Sequence, residues 1–181
     1  REQEIRRIAP VMAEVGEGIR KEYPAVKFMI PCVNETRAEQ IRPVFRNFSV
    51  DIRIGGMYDV LSCAHCCLVA SGTATVETTL FGVPMGIVYR VNPISYWLAR
   101  LLVRIRFIGM VNILAGREIV PEFIQHTATV EEILPFMLDI IKNGERRKRM
   151  LFDLQEIRHR LGGPGASERA AEQVLRVLGK N

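Results

Sequence analysis

The stretch that most constrains the fold is Leu68-Val69-Ala70-Ser71-Gly72-Thr73-Ala74-Thr75-Val76-Glu77. An apolar run from Cys66 to Ala70 stops at Ser71-Gly72-Thr73, and a helix-forming run from Ala74 to Phe81 follows at once. That order predicts a strand, a tight turn and a helix. Small residues at the turn let a ligand come close to the backbone. The first N–H groups of the helix have no partner within it, and such an end attracts anions, phosphate above all. Glu77, one turn in, cannot chelate a phosphate, but its carboxylate can accept hydrogen bonds from sugar hydroxyls beside one. The stretch therefore reads as a nucleotide or sugar-phosphate site at the carboxyl end of a strand. The plainer alternative is an ordinary N-cap followed by a Glu that the helix dipole favours. Glu77 stands four residues after Thr73, off the three-residue spacing of a capping box.

The rest of the chain repeats the pattern. Glu2 to Lys21 carries Ile5, Ile8, Val11, Met12, Val15 and Ile19 at helical spacing. Lys27–Val33, Cys66–Ala70 and Met85–Tyr89 are short apolar runs expected as strands, and Asp51–Ile54, closed by Gly55-Gly56, is expected as another. Between them, Glu35–Phe45, Tyr58–Ala64 and Ala74–Phe81 read as helices. A helix is expected at Pro93–Val103, opened by Asn92-Pro93. Ile108–Ile113 reads as extended, and Val120–Gln125, Val130–Lys142, Glu145–Leu161 and Ser167–Leu178 as helices. Apolar strands alternating with helices predict an α/β fold, a Rossmann-like parallel sheet with helices on both faces. Ligands of such sheets bind outside the carboxyl ends of the strands. The closing helices break the alternation. They predict a division into a domain at 1–128 and a helical appendage at 129–181, hinged at Gly162–Gly165.

Composition sets limits. The 181 residues are 48% hydrophobic and 25% charged, as in globular proteins, and no apolar run approaches the ~18 residues of a membrane span. The net charge of +5 favours anionic partners. Aromatic residues do not interleave with basic ones, so nucleic acid is not an expected partner. Cys63-Ala64-His65-Cys66 has the spacing of half a zinc site without a second half, so no metal is expected. Cys32, Cys63, Cys66 and Cys67 are expected as buried, reduced thiols, which suggests a reducing cytoplasm. The chain opens at Arg1, without Met, inside a helical pattern, and reads as a fragment.

Three segments together are specific. They are Ala70–Glu77, then Tyr89-Arg90 with Tyr96-Trp97-Leu98-Ala99, then Asn112-Ile-Leu-Ala-Gly-Arg-Glu118. From about Ile5 to its end the chain resembles the carboxyl-terminal half of the lipid-A-disaccharide synthase family of Gram-negative bacteria. The resemblance implies one half of a GT-B glycosyltransferase, two Rossmann-like halves with the active site between them. The donor would be UDP-2,3-diacylglucosamine and the acceptor 2,3-diacylglucosamine 1-phosphate, giving the tetraacyl disaccharide 1-phosphate and UDP, with no cofactor. Helix N-termini and basic side chains would stabilise the departing diphosphate. The missing amino-terminal half would carry the catalytic acid/base and most of the acceptor site. The first strand of this half and its phosphate loop would end just before Arg1. The fragment is expected to be inactive alone. The whole enzyme would be cytoplasmic and peripheral on the inner face of the inner membrane.

Residue by residue, Glu77 matches the acidic residue that holds the donor ribose in related transferases. Ser71, Gly72 and Thr73 would face the diphosphate through backbone N–H groups. Asn112, after an apolar run, either touches ligand or caps a turn. Arg117 and Glu118 either lie near the phosphates or form an ion pair, and Arg90 lines the cleft or is solvated. His65 reads as a surface or capping group. The Tyr96–Arg106 segment is either a helix packed on the sheet or an interfacial surface for lipid. The apolar face of Ser167–Leu178, Ala170, Ala171, Val174, Leu175 and Leu178, is expected to dock on a second chain, giving a homodimer. Other readings are a different GT-B enzyme, such as the undecaprenyl-pyrophosphoryl-muramoyl-peptide N-acetylglucosaminyltransferase or a UDP-N-acetylglucosamine 2-epimerase, or a noncatalytic nucleotide-sugar-binding domain. The Asn112–Glu118 string argues against the first two.

Overall fold

The computed structural model describes residues 2–47, 49–70, 72–92, 106–162 and 165–179. The expected helix at Pro93–Val103, nearly all of the Tyr96–Arg106 segment, Ser71, Gly163 and Pro164 lie outside the described residues. The chain runs α1 (Glu2–Glu22), β1 (Met29–Cys32), α2 (Glu35–Ile41), β2 (Asp51–Ile54), α3 (Met57–Cys63), β3 (Cys67–Ala70), α4 (Ala74–Leu80) and β4 (Met85–Tyr89). It continues with α5 (Met110–Ala115), β5 (Glu122–Ile124), a single 3-10 turn (Gln125–Thr127), α6 (Val130–Ile141), α7 (Glu145–Leu161) and α8 (Ala166–Val177). β1 pairs with β2, and β4 pairs with β3 on one side and β5 on the other. Every pairing is parallel. This is the expected parallel α/β architecture, and it brings the carboxyl ends of β3, β4 and β5 to one edge.

α1 ties the two sheets together. Ile8, Val11, Val15 and Ile19 recur at helical spacing and are buried in the main core with Met85, Ile87 and Val88 of β4. Ala9 and Ala13, on the adjoining face, pack with Phe45 in a second cluster that Ile30, Ile41 and Val50 flank. Full burial of an aliphatic side chain such as Val15 stabilises by about 1.5–3 kcal/mol. A Cβ on Gly18 would lie 2.5 Å from Leu134 Cδ2, so glycine there permits the close approach of α1 and α6. α2 is capped by Asn34, whose side-chain oxygen accepts from the Arg37 N–H at 3.1 Å. It ends at Ile41 rather than the expected Phe45, because Pro43 has no N–H to continue the ladder.

Two expectations are corrected. Met110–Ala115 is a helix where an extended segment was expected, and Glu122–Ile124 is a strand where a helix was expected. The reason is tertiary. Glu122 sits on β5, paired with Ile87, and its carboxylate accepts from Ile108 N–H (2.8 Å) and Gly109 N–H (2.9 Å) at the start of α5. A carboxylate at a helix N-terminus satisfies donors that the helix cannot. Ile133, Phe136, Met137 and Ile140 of α6 and Met150, Leu154 and Ile157 of α7 are buried in the same cluster as the sheet, so both helices are part of one core. On α8, Val174, Leu175, Val177 and Leu178 are exposed.

Candidate functional site

α4 carries the strand–turn–helix motif. At its entrance Gly72 has φ +153°, outside the range L side chains ordinarily adopt, and open space stands where a Cβ would be. Thr73 is exposed and its side chain caps nothing. The threonines explain how so polar a helix is buried. Thr75 Oγ1 donates to the Gly72 carbonyl (2.8 Å), Thr78 Oγ1 to Ala74 (2.8 Å) and Thr79 Oγ1 to Thr75 (2.7 Å), which satisfies each hydroxyl inside its own turn. Their shared face is fully buried, with α5 and α7 packed against the helix. That burial fixes α4 and leaves Glu77 half-buried on its other side.

Glu77 is not alone. Its Oε1 accepts from the Tyr58 hydroxyl at 3.2 Å. The Tyr58 ring stacks on Phe81 with centroids 5.6 Å apart and 25° between planes. The hydrogen bond to Glu77, with the carboxylate charge, raises the Tyr58 pKa above its ordinary value. Tyr58 comes from α3, nineteen residues earlier. No spacing rule in the sequence links it to Glu77, and it was missed.

The other expected residues are placed differently. Arg90, at the end of β4, donates to the Ala128 carbonyl at 2.6 Å. Beside it, Gln125 has φ +52° and closes on Val91, accepting its N–H (2.9 Å) and donating to its carbonyl (3.2 Å). A left-handed non-glycine residue at a strand end is a local strain that this paired contact supports. Asn112 is fully buried. Its Nδ2 donates to the Val120 carbonyl (2.7 Å) and Glu122 Oε1 (2.8 Å), and its Oδ1 accepts from Ile119 N–H (2.9 Å) and Val120 N–H (3.1 Å). The amide thus locks the turn from α5 to β5, the capping alternative for this residue. Arg117 pairs with Asp153 (2.8 Å) and Glu156 (3.4 Å) of α7, not with its neighbour Glu118, which is exposed. Arg90, Asn112, Arg117 and Glu118 all follow strands of the same sheet or lead into them. Gly72 and Thr73 follow β3 and are exposed, and Glu77, half-buried, has Tyr58 beside it.

The cysteine-rich segment is structural. His65 Nε2 bonds the Ile141 carbonyl oxygen (2.9 Å), and Arg147 donates to the His65 carbonyl (3.0 Å). Burial pushes the Cys66 thiol up to about 11 and the Cys67 thiol to about 12. Cys63 is exposed rather than buried, because it ends α3 on its outer side, its Sγ 3.3 Å from the Val60 carbonyl. Among the described residues no three His, Cys, Asp or Glu side chains are grouped as metal ligands.

Parallel strands alternating with helices that pack on them define a Rossmann-like α/β protein. Comparison with known proteins narrows this. The model of the Lipid-A-disaccharide synthetase family matches residues 1–177, and the chain belongs to that family. Its relatives include lipid-A-disaccharide synthases of Nitrosococcus oceani, 34% identical over 180 residues, and Myxococcus xanthus, 37% identical over 177. The matches cover 98% and 97% of this chain and 46% of each relative. The same enzyme of Syntrophus aciditrophicus is 35% identical over 184 residues, covering 100% of this chain and 48% of the relative. The chain spans about half the length of the curated relatives it matches.

Proposed function

We propose that this chain is the donor-binding, carboxyl-terminal half of a GT-B glycosyltransferase. The whole protein transfers 2,3-diacylglucosamine from UDP-2,3-diacylglucosamine to 2,3-diacylglucosamine 1-phosphate, in lipid A biosynthesis. The observation that carries the reading is the Glu77 carboxylate, one turn beyond an open glycine turn at the sheet's carboxyl edge, in a chain of this family. In this reading the Ser71–Thr73 turn meets the diphosphate, and Glu77 accepts hydrogen bonds from the ribose hydroxyls. In transfer, the bond from the sugar's anomeric carbon to the UDP oxygen breaks, a bond to the acceptor hydroxyl oxygen forms, and a base in the amino-terminal half takes the hydroxyl proton. This chain's share is to hold the leaving group. Asn112 and Arg117 serve by fixing the α5–β5 turn, and Arg90 by fixing the end of β4. Glu118 is exposed, which supports a place for it in the donor site. The enzyme works in the cytoplasm, peripheral on the inner membrane; no helix among the described residues is long and apolar enough to cross one. The exposed apolar residues of α8 support a homodimer built through the carboxyl-terminal helices.

The test is Glu77→Ala in the whole protein. Donor KM should rise with kcat little changed, a loss of about 1.5–3 kcal/mol for a hydrogen bond to a charged group. Unaltered kinetics with unaltered melting would leave Glu77 as a partner of the helix dipole only.

A further inference from the structure

The Tyr58–Glu77–Phe81 cluster does more than pack. Tyr58 is 58% exposed and Phe81 39% exposed, so their stacking buries little, and the core does not require either ring. The hydroxyl of Tyr58 is nonetheless directed at one oxygen of Glu77, while Oε2 takes no hydrogen bond from the described residues. The helix that delivers Tyr58 is itself fixed. It starts at Gly56 in a left-handed turn (φ +63°), and Val60 and Leu61 are buried. Phe81, the cap residue of α4, supports the ring from the other side, so two helices hold the hydroxyl in place.

We propose that Tyr58 is a positioning residue for nucleotide binding: its hydroxyl fixes the Glu77 carboxylate so that Oε2 is presented to the ribose hydroxyls of a nucleoside diphosphate. This rests on the reading of Glu77 as the ribose-binding group. A glutamate side chain free to turn must be ordered when ligand arrives, which weakens binding. A carboxylate already held by a neighbouring donor avoids that loss. The raised pKa of Tyr58 agrees, because a phenol beside a carboxylate keeps its proton and remains the donor at every physiological pH.

The experiment is calorimetric titration of the chain with two probes, UDP and 2′,3′-dideoxy-UDP. It compares the parent with Tyr58→Phe, Glu77→Ala and the double variant, with melting temperatures alongside. Tyr58→Phe keeps the ring on Phe81 and removes only the hydroxyl. It should weaken UDP about three- to tenfold, the range of one intramolecular hydrogen bond. It should leave dideoxy-UDP and melting unchanged and add nothing on top of Glu77→Ala. If Glu77→Ala weakens UDP and Tyr58→Phe does not, the role of Tyr58 is overturned and the site survives. If Tyr58→Phe weakens both nucleotides equally, it does not act through the ribose contact and the proposal fails. If the parent does not bind UDP, or Glu77→Ala binds it as the parent does, the donor-site reading itself fails, and this proposal with it.

Discussion

Asn112→Ala is the sharpest test of how the α5–β5 turn is held. The side chain is fully buried and makes four hydrogen bonds. Truncation leaves the Ile119 and Val120 N–H groups without their acceptor and the Val120 carbonyl without this donor. Glu122 loses one of the three donors that hold its carboxylate. A buried polar group left unsatisfied costs about 1–3 kcal/mol. Water entering the vacated space recovers part of this, so the net destabilisation should be about 3–5 kcal/mol. That is a large share of the ~5–15 kcal/mol that stabilises a typical protein. For a chain of this length it corresponds to a melting temperature lower by roughly 6–20 °C. The assay is urea unfolding, with melting by calorimetry as a check. A loss below about 1 kcal/mol would refute the reasoning, since it would mean that the network can be replaced by solvent.

Two further outcomes follow from the structure. Cys66 and Cys67 stay protonated to about 11 and about 12 in the folded chain against an ordinary 9.0, so their contribution is complete below pH 9 and falls as pH rises toward those values. Unfolding free energy should drop by about 1.4 kcal/mol per pH unit per thiol above pH 9; a Cys66→Ala/Cys67→Ala variant with the same slope would contradict this. If α8 builds the proposed dimer, light scattering should show two chains per particle, falling to one when residues 163–181 are removed; a monomer in both cases, or a dimer that survives the truncation, would remove the tail from the explanation.

Much of this was legible in the sequence where structure is local. Asp51–Ile54, Met85–Tyr89 and Glu145–Leu161 have the same limits by pattern as by coordinates, because Gly55-Gly56 closes the first, a continuous apolar run marks the second as a buried parallel strand, and a glycine marks each end of the long helix. The two elements of the wrong type lie together, at 108–125. Val111 and Ile113 favour strands, yet Met110–Ala115 is helical, with Glu122 satisfying the N–H groups at its start. Pairing with β4 in turn makes Glu122–Ile124 a strand, although three residues are too short to show a period. Each element depends on the other, so neither could be read alone. In the site, Glu77 stood out from its own turn. Tyr58 did not, because the contact joins two helices, and Asn112 and Arg117 were visible as a motif while their partners, Val120, Glu122 and Asp153, were not.

The measurement closest to the central claim is an NMR titration of the chain with UDP. The account predicts saturable shifts centred on the amides of Gly72, Thr73 and Glu77, with Tyr58 responding through its hydroxyl contact. Saturation that leaves those four residues unchanged, or no binding at all, would contradict it.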